Sequence, residues 1–318
     1  MATRPQVLFD ISLVQREFRA SQGGQKAACQ ALVQLQAWRP VLDILLDLAV
    51  IALALAAAGA GGAPWLPLAL LALGNRQRAL GNILHDAAHC NLSRCRALND
   101  GLAHGLLAPL LFLDLARYRA VHVRHHLDLG DEEADPDLIP IPLAKDRHWW
   151  LAVVRQFCDG HAWAGSAFGH LVDPGTGWRS KSRILAWWAL LAGALGAAFG
   201  AASAMGAVGT WLLARMTVFH LITMVREMCD HHGLQPGGVF SFARDLTGHG
   251  AWQRLIHPRN NAYHLTHHLL PAVPYYRLPQ AQRLFATLPS YRLRARVCNR
   301  YVRGPAAVVR DWQAPARE

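Results

Sequence analysis

The stretch Leu48–Asn75, LAVIALALAAAGAGGAPWLPLALLALGN, decides the fold because its 28 residues include no Asp, Glu, Lys or Arg. A second charge-free stretch of 31 residues runs from Ile184 to Ala214. One helix needs about 20 apolar residues to cross a bilayer, so each stretch is too long for one span. Each reaches the length of two spans when a few polar residues are accepted near its ends. We therefore predict two helical hairpins, with spans at about 41–60, 64–84, 184–202 and 205–225.

Glycine-rich segments occupy the predicted turns of both hairpins. The first turn is Gly59-Ala60-Gly61-Gly62-Ala63-Pro64, and the second lies near Gly200–Gly206. Charged residues within the spans make their boundaries approximate: Asp43, Asp47, Arg76, Arg78 and Arg215.

The bulk composition agrees with a membrane protein. Hydrophobic residues make up 53% of the chain and charged residues 17%, whereas soluble domains carry about 25% charged residues. The mean hydropathy is positive, at +0.13. These values exclude a disordered chain and argue against a soluble globule.

The basic residues indicate the orientation of the spans. Lys and Arg outnumber Asp and Glu by 32 to 21, and neither hairpin tip contains a Lys or Arg. The positive-inside rule then places both termini and the central segment in the cytosol. Arginine dominates over lysine in a chain rich in Ala and Leu, which favours a GC-rich, bacterial genome. The expected location is therefore a bacterial inner membrane. We expect no nucleic-acid partner, because the basic residues are dispersed and no aromatic-basic module occurs.

We predict three regions along the chain. They are an N-terminal cytosolic arm at 1–40, a membrane domain at 41–303 and a C-terminal tail at 304–318. The apolar stretch 101–115 is too short to span comfortably and is predicted to be buried or interfacial. The six cysteines form no C-x-x-C pair, so we expect reduced thiols.

Histidine is unusually abundant, with 17 residues, and three groups have tight spacing. The segment 85–89 reads HDAAH, 122–126 reads HVRHH and 264–268 reads HLTHH. Residues i and i+4 of a helix share a face, so their imidazoles can reach one metal region. With one further histidine after the fourth span, the predicted ligands are His85, His89, His122, His125, His126, His231, His264, His267 and His268.

These histidines follow predicted spans or lie in cytosolic segments, so they can converge at the cytosolic membrane surface. A metal transporter would be expected to place ligands near the bilayer midplane instead. Nine ligands suffice for two metals, but imidazole suits Fe, Cu, Zn and Ni alike. No E-x-x-H pair of the soluble di-iron bundles occurs.

At these residues the sequence resembles the membrane fatty-acid desaturase/hydroxylase superfamily over about residues 40–285. HDAAH, HVRHH and HLTHH match its three histidine boxes. Further similarity lies in Asp135-Pro136-Asp137 after the second box and Asn261-Ala262-Tyr263 before the third. The segment Arg226–His231 resembles the family's R-x-x-x-E-H element with Asp230 in place of Glu, and it favours His231 over His232 as a ligand.

The resemblance implies an all-α integral membrane fold: four transmembrane helices with a cytosolic helical cap that holds two iron ions. It implies O2-dependent desaturation of an acyl chain, with hydroxylation, ketolation or acetylene formation as alternatives. The alternative substrates are other lipids, a carotenoid or a carrier-tethered metabolite. Electrons must come from outside, and Gln235-Pro236-Gly237-Gly238 lacks the histidine of a fused haem domain. We therefore expect a separate ferredoxin- or rubredoxin-like donor.

Two further sets of residues are candidates for supporting roles. An arginine-rich segment fits an acidic donor or acyl carrier protein, with lipid headgroups as the alternative: Arg292, Arg294, Arg296, Arg300 and Arg303. Metal-bound histidines usually donate their other N–H to a carboxylate or carbonyl. The candidates for orienting the ligands, with helix capping or surface exposure as the alternative, are Asp86, Asp137, Glu227, Asp230, Asn260, Asn261 and His257.

Overall fold

The computed structural model describes residues 3–21, 24–138, 148–248 and 250–313, and most of them are helical. In chain order the α-helices are α1 Arg4–Ala20, α2 Gln25–Leu32, α3 Trp38–Gly61, α4 Leu66–Ala88, α5 Arg96–Leu102, α6 Ala108–Leu110, α7 Leu115–Leu127, α8 Trp149–Phe157, α9 Gly160–Phe168, α10 Trp178–Phe199, α11 Ala201–Ala214, α12 His220–His231, α13 Val239–Phe242, α14 Ala251–Ile256, α15 His264–Leu269, α16 Leu278–Phe285 and α17 Pro289–Arg294.

Short segments of other kinds join these helices. Two π-helical segments lie at Ala103–Leu107 and Arg215–Phe219. The 3-10 turns are Ala63–Trp65, Gly169–Leu171, Pro258–Asn260, Tyr275–Arg277 and Val308–Trp312. The prediction of an all-α fold omitted a small sheet: β1 Arg244–Leu246 pairs in parallel with β2 Arg296–Cys298. Strands of three residues leave too little alternation for a sequence pattern to reveal them.

The chain forms two compact units. The histidine unit comprises Met1–Leu35, Arg119–Arg155 and Val225–Glu318, and it carries seven of the nine predicted ligands. The membrane unit comprises Gln36–Tyr118 and Gln156–Met224.

Among the described residues, three helices are long and apolar enough to cross a membrane. They are α3, α10 and the continuous helix Ala201–His231, which is formed by α11, the second π-helical segment and α12. They coincide with three of the four predicted spans. The remaining span, 64–84, falls on α4, whose polar sequence Asn75-Arg76-Gln77-Arg78 lowers its hydropathy. Four membrane crossings therefore stay a prediction.

Glycines in the left-handed region end the first helix of each hairpin. Gly62 has φ of 67° at the end of α3, and Gly200 has φ of 85° between α10 and α11. A residue with a Cβ is strained at such angles. Both glycines lie within the predicted turns.

The charged residues within the spans have polar partners in the membrane unit. Arg76 Nη1 lies 2.6 Å from a carboxylate oxygen of the buried Asp47. The buried Arg215 donates to the carbonyls of Ala167 and Leu111 at 2.9 and 2.8 Å. These contacts offset the desolvation of the charges and explain how apolar helices accommodate them.

Helix α4 packs closely against the π-helical segment Arg215–Phe219. A Cβ atom at the buried Gly74 would lie only 2.6 Å from Val218 Cγ1 and 2.8 Å from the Phe219 nitrogen. Glycine at this position therefore permits the close approach of the two helices.

The N-terminal helix belongs to the core of the histidine unit. Val7, Val14 and Phe18 of α1 are buried in a cluster that also contains Leu265 and Leu269 of α15. The Arg4 guanidinium binds both carboxylate oxygens of Asp128, at 2.8 and 2.7 Å. The predicted arm 1–40 thus contributes α1 to the packing beneath the third histidine box.

Candidate metal centre

Three helices of the histidine unit present the predicted ligands. Helix α7 carries the second box, α15 carries the third box, and His231 is the last residue of α12. In each box the first and last histidines are four residues apart and so lie on one helical face. The structure brings these side chains together in two groups.

The first group consists of His125, His231, His264 and His268, and all four are buried. Each offers a nitrogen atom, and these atoms lie within 4.8 Å of one another. His264 Nε2 lies 2.8 Å from His231 Nε2 and 2.9 Å from His268 Nε2. Four imidazole nitrogens converging at such distances suit a bound metal ion.

The second group contains His122, His126 and His267, with nitrogen atoms that also lie within 4.8 Å of one another. His126 Nε2 lies 3.0 Å from both His122 Nε2 and His267 Nε2. Neighbouring residues of one box therefore serve different groups. His125 and His126 diverge in this way, as do His267 and His268, because consecutive residues of a helix point about 100° apart.

The first histidine box lies at the end of α4 in the membrane unit. His85 belongs to the last turn, His89 caps the helix, and their ring centroids are 5.1 Å apart. Asp86, a candidate for orienting a ligand, has a carboxylate oxygen 3.8 Å from His85 Nδ1. The assignment of His85 and His89 to the same centre as the other boxes stays a prediction.

Hydrogen bonds fix the orientation of two ligands of the first group. The Nδ1–H of His125 donates to the two carboxylate oxygens of Asp135, at 2.9 and 3.1 Å. The Nδ1–H of His231 donates to the Phe242 carbonyl at 2.6 Å. In this tautomer the Nε2 lone pair of each ring is available to a metal.

The carboxylate on His125 belongs to Asp135, which the sequence reasoning did not select. The selected Asp137 is exposed, and its backbone N–H donates to Asp135 at 3.0 Å. Burial alone would raise the pKa of Asp135, but His125 and the N–H groups of Gly130 and Asp137 outweigh it and lower that pKa. Asp135 is therefore an ionised acceptor.

Asp230 lies beside the third box. Its carboxylate accepts a hydrogen bond from Arg226 at 2.8 Å. The same carboxylate oxygen is 3.5 Å from His264 Nδ1, and the other is 3.8 Å from His257 Nε2. Asp230 is thus placed to orient His264, whereas His257 bonds through Nδ1 to the Tyr301 hydroxyl at 2.8 Å.

The other polar candidates bond to groups outside the two histidine groups. Glu227 forms an ion pair with Arg226. Asn261 accepts a hydrogen bond from Arg226 at 3.1 Å, and Asn260 donates to the Tyr275 carbonyl at 3.2 Å. Asp230 and Asn261 therefore share Arg226, which connects α12 to the segment before the third box.

His231 rather than His232 faces the metal-binding group. His232 belongs to neither group, and its carbonyl accepts a hydrogen bond from the buried Arg244. This placement agrees with the choice that the sequence favoured.

The members of the first group differ in their electrostatics. Burial alone would lower the pKa of His125, but its hydrogen bond to Asp135 and the charge of that carboxylate outweigh burial and raise the pKa. Burial, together with the neighbouring imidazoles, holds the pKa of His268 well below its ordinary value. A neutral ring is the form that binds a metal. Among the described residues both groups consist of histidines alone. Two sets of convergent nitrogens, with Nδ1 of His125 and His231 already engaged, fit two metal ions with imidazole ligands.

Comparison with known proteins supports this interpretation. A profile of the fatty acid desaturase family matches residues 60–298. The dihydrorhizobitoxine desaturase of Bradyrhizobium elkanii is 28% identical over an alignment of 271 residues, and the match covers 76% of this chain and 74% of that protein. The probable fatty acid desaturase DES1 of Sorghum bicolor is 26% identical over 280 residues, covering 77% and 69% of the two chains. Since the family match covers most of the sequence, the chain belongs to the fatty acid desaturase family.

Proposed function

We propose that this protein is an O2-dependent, membrane-embedded di-iron desaturase that introduces a C=C bond into an acyl chain. Family membership makes it an oxidoreductase of the desaturase or hydroxylase type. The three apolar helices and the family together indicate membrane association. The observation that carries the proposal is the division of buried histidines into two groups with convergent nitrogens.

Each group would hold one iron. His125, His231, His264 and His268 are the ligands of the first site, and His122, His126 and His267 belong to the second. The family resemblance adds His85 and His89. Bound iron would supply the O2 chemistry needed to remove hydrogen from an unactivated C–H bond, which no protein side chain can do.

Residues around the two histidine groups orient the imidazoles for metal binding. Asp135 and the Phe242 carbonyl hold the rings of His125 and His231 in one orientation and one tautomer. Asp230 adds a negative charge beside His264, balanced by Arg226. Burial of the four imidazoles keeps bulk water from competing for the site.

The electron count requires a partner. Reduction of one O2 to two waters takes four electrons and four protons, and formation of one C=C bond supplies two of each. Two further electrons and two protons must be delivered in every turnover. We propose a separate ferredoxin- or rubredoxin-like protein as the electron source.

The distribution of basic residues supports a cytosolic centre in a bacterial inner membrane, with both termini on the same side. An acyl chain dissolved in the bilayer is the proposed substrate, either in a lipid or on an acyl carrier protein. The relatives differ here, since one is named for dihydrorhizobitoxine and the other for fatty acids.

Iron content and product mass test the proposal together. We expect two irons per purified chain and a product lighter than the substrate by two hydrogens. His125→Ala should lose both iron and desaturation. His104→Ala, which removes an exposed histidine from the membrane unit, is the matched control and should retain both.

Other outcomes have definite meanings. A product heavier by one oxygen would identify a hydroxylase and contradict desaturation. An active protein without iron would contradict the di-iron centre.

A further inference from the structure

A run of exposed basic residues lies near the C-terminus of the histidine unit. The arginine strip, defined as residues 292–303 with the sequence RLRARVCNRYVR, contains five arginines and no acidic residue. All five arginines are exposed. The strip runs from the end of α17 through β2 into the following turn.

Two of the five arginines form ion pairs with acidic residues of the described chain. Arg294 pairs with Asp10 at 2.9 Å, and Arg296 pairs with Asp311. Within the part of the chain that the structure describes, no salt bridge joins Arg292, Arg300 or Arg303 to an acid. Their positive charge is therefore available to a partner.

Apolar side chains are interspersed with these charges. Leu293 is 86% exposed, more than any other large hydrophobic residue of the described chain. Val297 and Val302 of the same strip are also exposed. Exposed leucine beside unpaired arginine is typical of a protein interface with an apolar contact and a charged rim.

The arginine strip lacks the tryptophans that mark a membrane interface. Trp38 and Trp178, the first residues of α3 and α10, are 60% and 75% exposed and occupy the positions of an interfacial belt. The strip contains no tryptophan, and its one tyrosine, Tyr301, hydrogen-bonds to His257. This pattern favours a protein partner over lipid headgroups.

Short hydrogen-bonded contacts connect the strip to the metal ligands. The Tyr291 hydroxyl, directly before Arg292, donates to the buried carboxylate of Asp245. That carboxylate also accepts from the Thr266 hydroxyl, and from the Thr266 N–H at 3.0 Å. Thr266 lies between His264 and His267, so two contacts separate the strip from the third box.

We propose that the arginine strip is the docking surface for an acidic, one-electron iron–sulfur carrier protein. The inference rests on the proposed function, because O2-dependent desaturation consumes the electrons that the carrier delivers. Each docked carrier is oxidised by one electron. Two reduced carriers and two protons, with one O2 and one –CH2–CH2– unit, give one –CH=CH– unit and two waters.

Charge reversal tests the docking surface in the full-length, iron-loaded protein in nanodiscs. The test variant combines Arg292→Glu, Arg300→Glu and Arg303→Glu. The matched control combines Arg19→Glu, Lys26→Glu and Arg283→Glu, which changes the net charge equally at exposed positions outside the strip. Each protein is assayed with an acidic [2Fe–2S] ferredoxin, with an acidic rubredoxin, and with dithionite-reduced methyl viologen.

We expect the test variant to raise the KM for the carrier about tenfold or more, because unlike charges steer association. Its rate with viologen should stay within about twofold of wild type, and the control should behave as wild type with every donor. The wild-type KM should also rise with salt. If the test and control variants give the same carrier KM, the strip is not the docking surface.

The remaining outcomes are also decisive. Wild-type protein that turns over with viologen but with neither carrier overturns the acidic-carrier proposal. A strip that binds headgroups would instead change the thermal stability of the test variant between neutral and anionic nanodiscs, with an unchanged carrier KM. Inactivity of the wild-type protein with every donor contradicts the proposed function itself.

Discussion

A single carboxylate decides how the second histidine box presents one of its ligands. Asp135 accepts from the ring of His125 and from two backbone N–H groups, at Gly130 and Asp137. The two backbone N–H groups therefore fix the position of the Asp135 carboxylate, and the carboxylate in turn orients the His125 imidazole. Loss of such a supporting contact typically lowers metal affinity or activity by about 10–100-fold.

We expect Asp135→Asn to lower both iron content and product formation within that range, because a neutral amide attracts the His125 N–H less strongly. Asp137→Asn is the matched control, since Asp137 is exposed and only two residues away. Iron analysis and single-turnover product yield provide the measurement. Equal losses in the two variants would show that Asp135 has no special role.

The clustering of the histidines was predictable from the sequence, but the residues that hydrogen-bond to them were not. Histidines four residues apart on a helix must share a face, so the spacing alone predicted the second and third boxes. Asp135 and Asp137 flank the same proline, and only the loop conformation after α7 decides which of them reaches His125. Likewise, Asp245 lies outside every histidine box, and no sequence pattern around it predicts its contact with Thr266.

Among the elements of the membrane unit, the close packing of α4 against the π-helical segment Arg215–Phe219 constrains the position of α4. Helix α4 carries His85 at its end, so its position determines where the first box lies. Gly74 is the point of closest approach, where an added methyl group would overlap Val218 and the Phe219 backbone. Overpacking of this kind typically costs about 1–3 kcal/mol.

Gly74→Ala should therefore lower the thermal unfolding temperature of the protein in detergent or nanodiscs. Gly209→Ala in α11 is the control, because a Cβ there meets nothing within 4 Å and alanine favours helix. We expect the control to be neutral or slightly stabilising. If the Gly74→Ala protein is as stable as wild type, the two helices can move apart locally without lowering the free energy of unfolding.

The hairpins were predictable because charge-free runs and glycine turns are strong local signals. The helix Ala201–His231 extends six residues beyond the predicted end at 225, so it carries His231 directly. The three-residue pairing of β1 with β2 and the π-helical segments depend on packing between distant residues. No local pattern encodes such packing.

For the whole molecule, the metal centre joins segments that are distant in sequence. Seven ligands of the histidine unit come from residues 122–126, 231 and 264–268. A metal ion bound by either group would stabilise the folded state over the unfolded one, by about 2.7 kcal/mol when the free metal is 100 times its Kd. Buried imidazoles without metal face one another at close range instead.

Removal of iron should accordingly lower the unfolding temperature by several degrees and restore it on reloading. Differential scanning calorimetry of loaded and chelator-treated protein measures this shift. His104→Ala should keep the shift, whereas His125→Ala should lose most of it. An unchanged unfolding temperature after chelation would show that the histidines are held in place by protein packing alone.

The order of the ligands along the chain has a consequence for biogenesis. His122–His126 are synthesised before the second hairpin, but His231 is the last residue of its second helix, and the third box begins 33 residues later. With the predicted four-span topology, both hairpins are therefore synthesised while the two histidine groups are still incomplete. Under the proposed function, iron loading would be a late event that follows translation of residue 268.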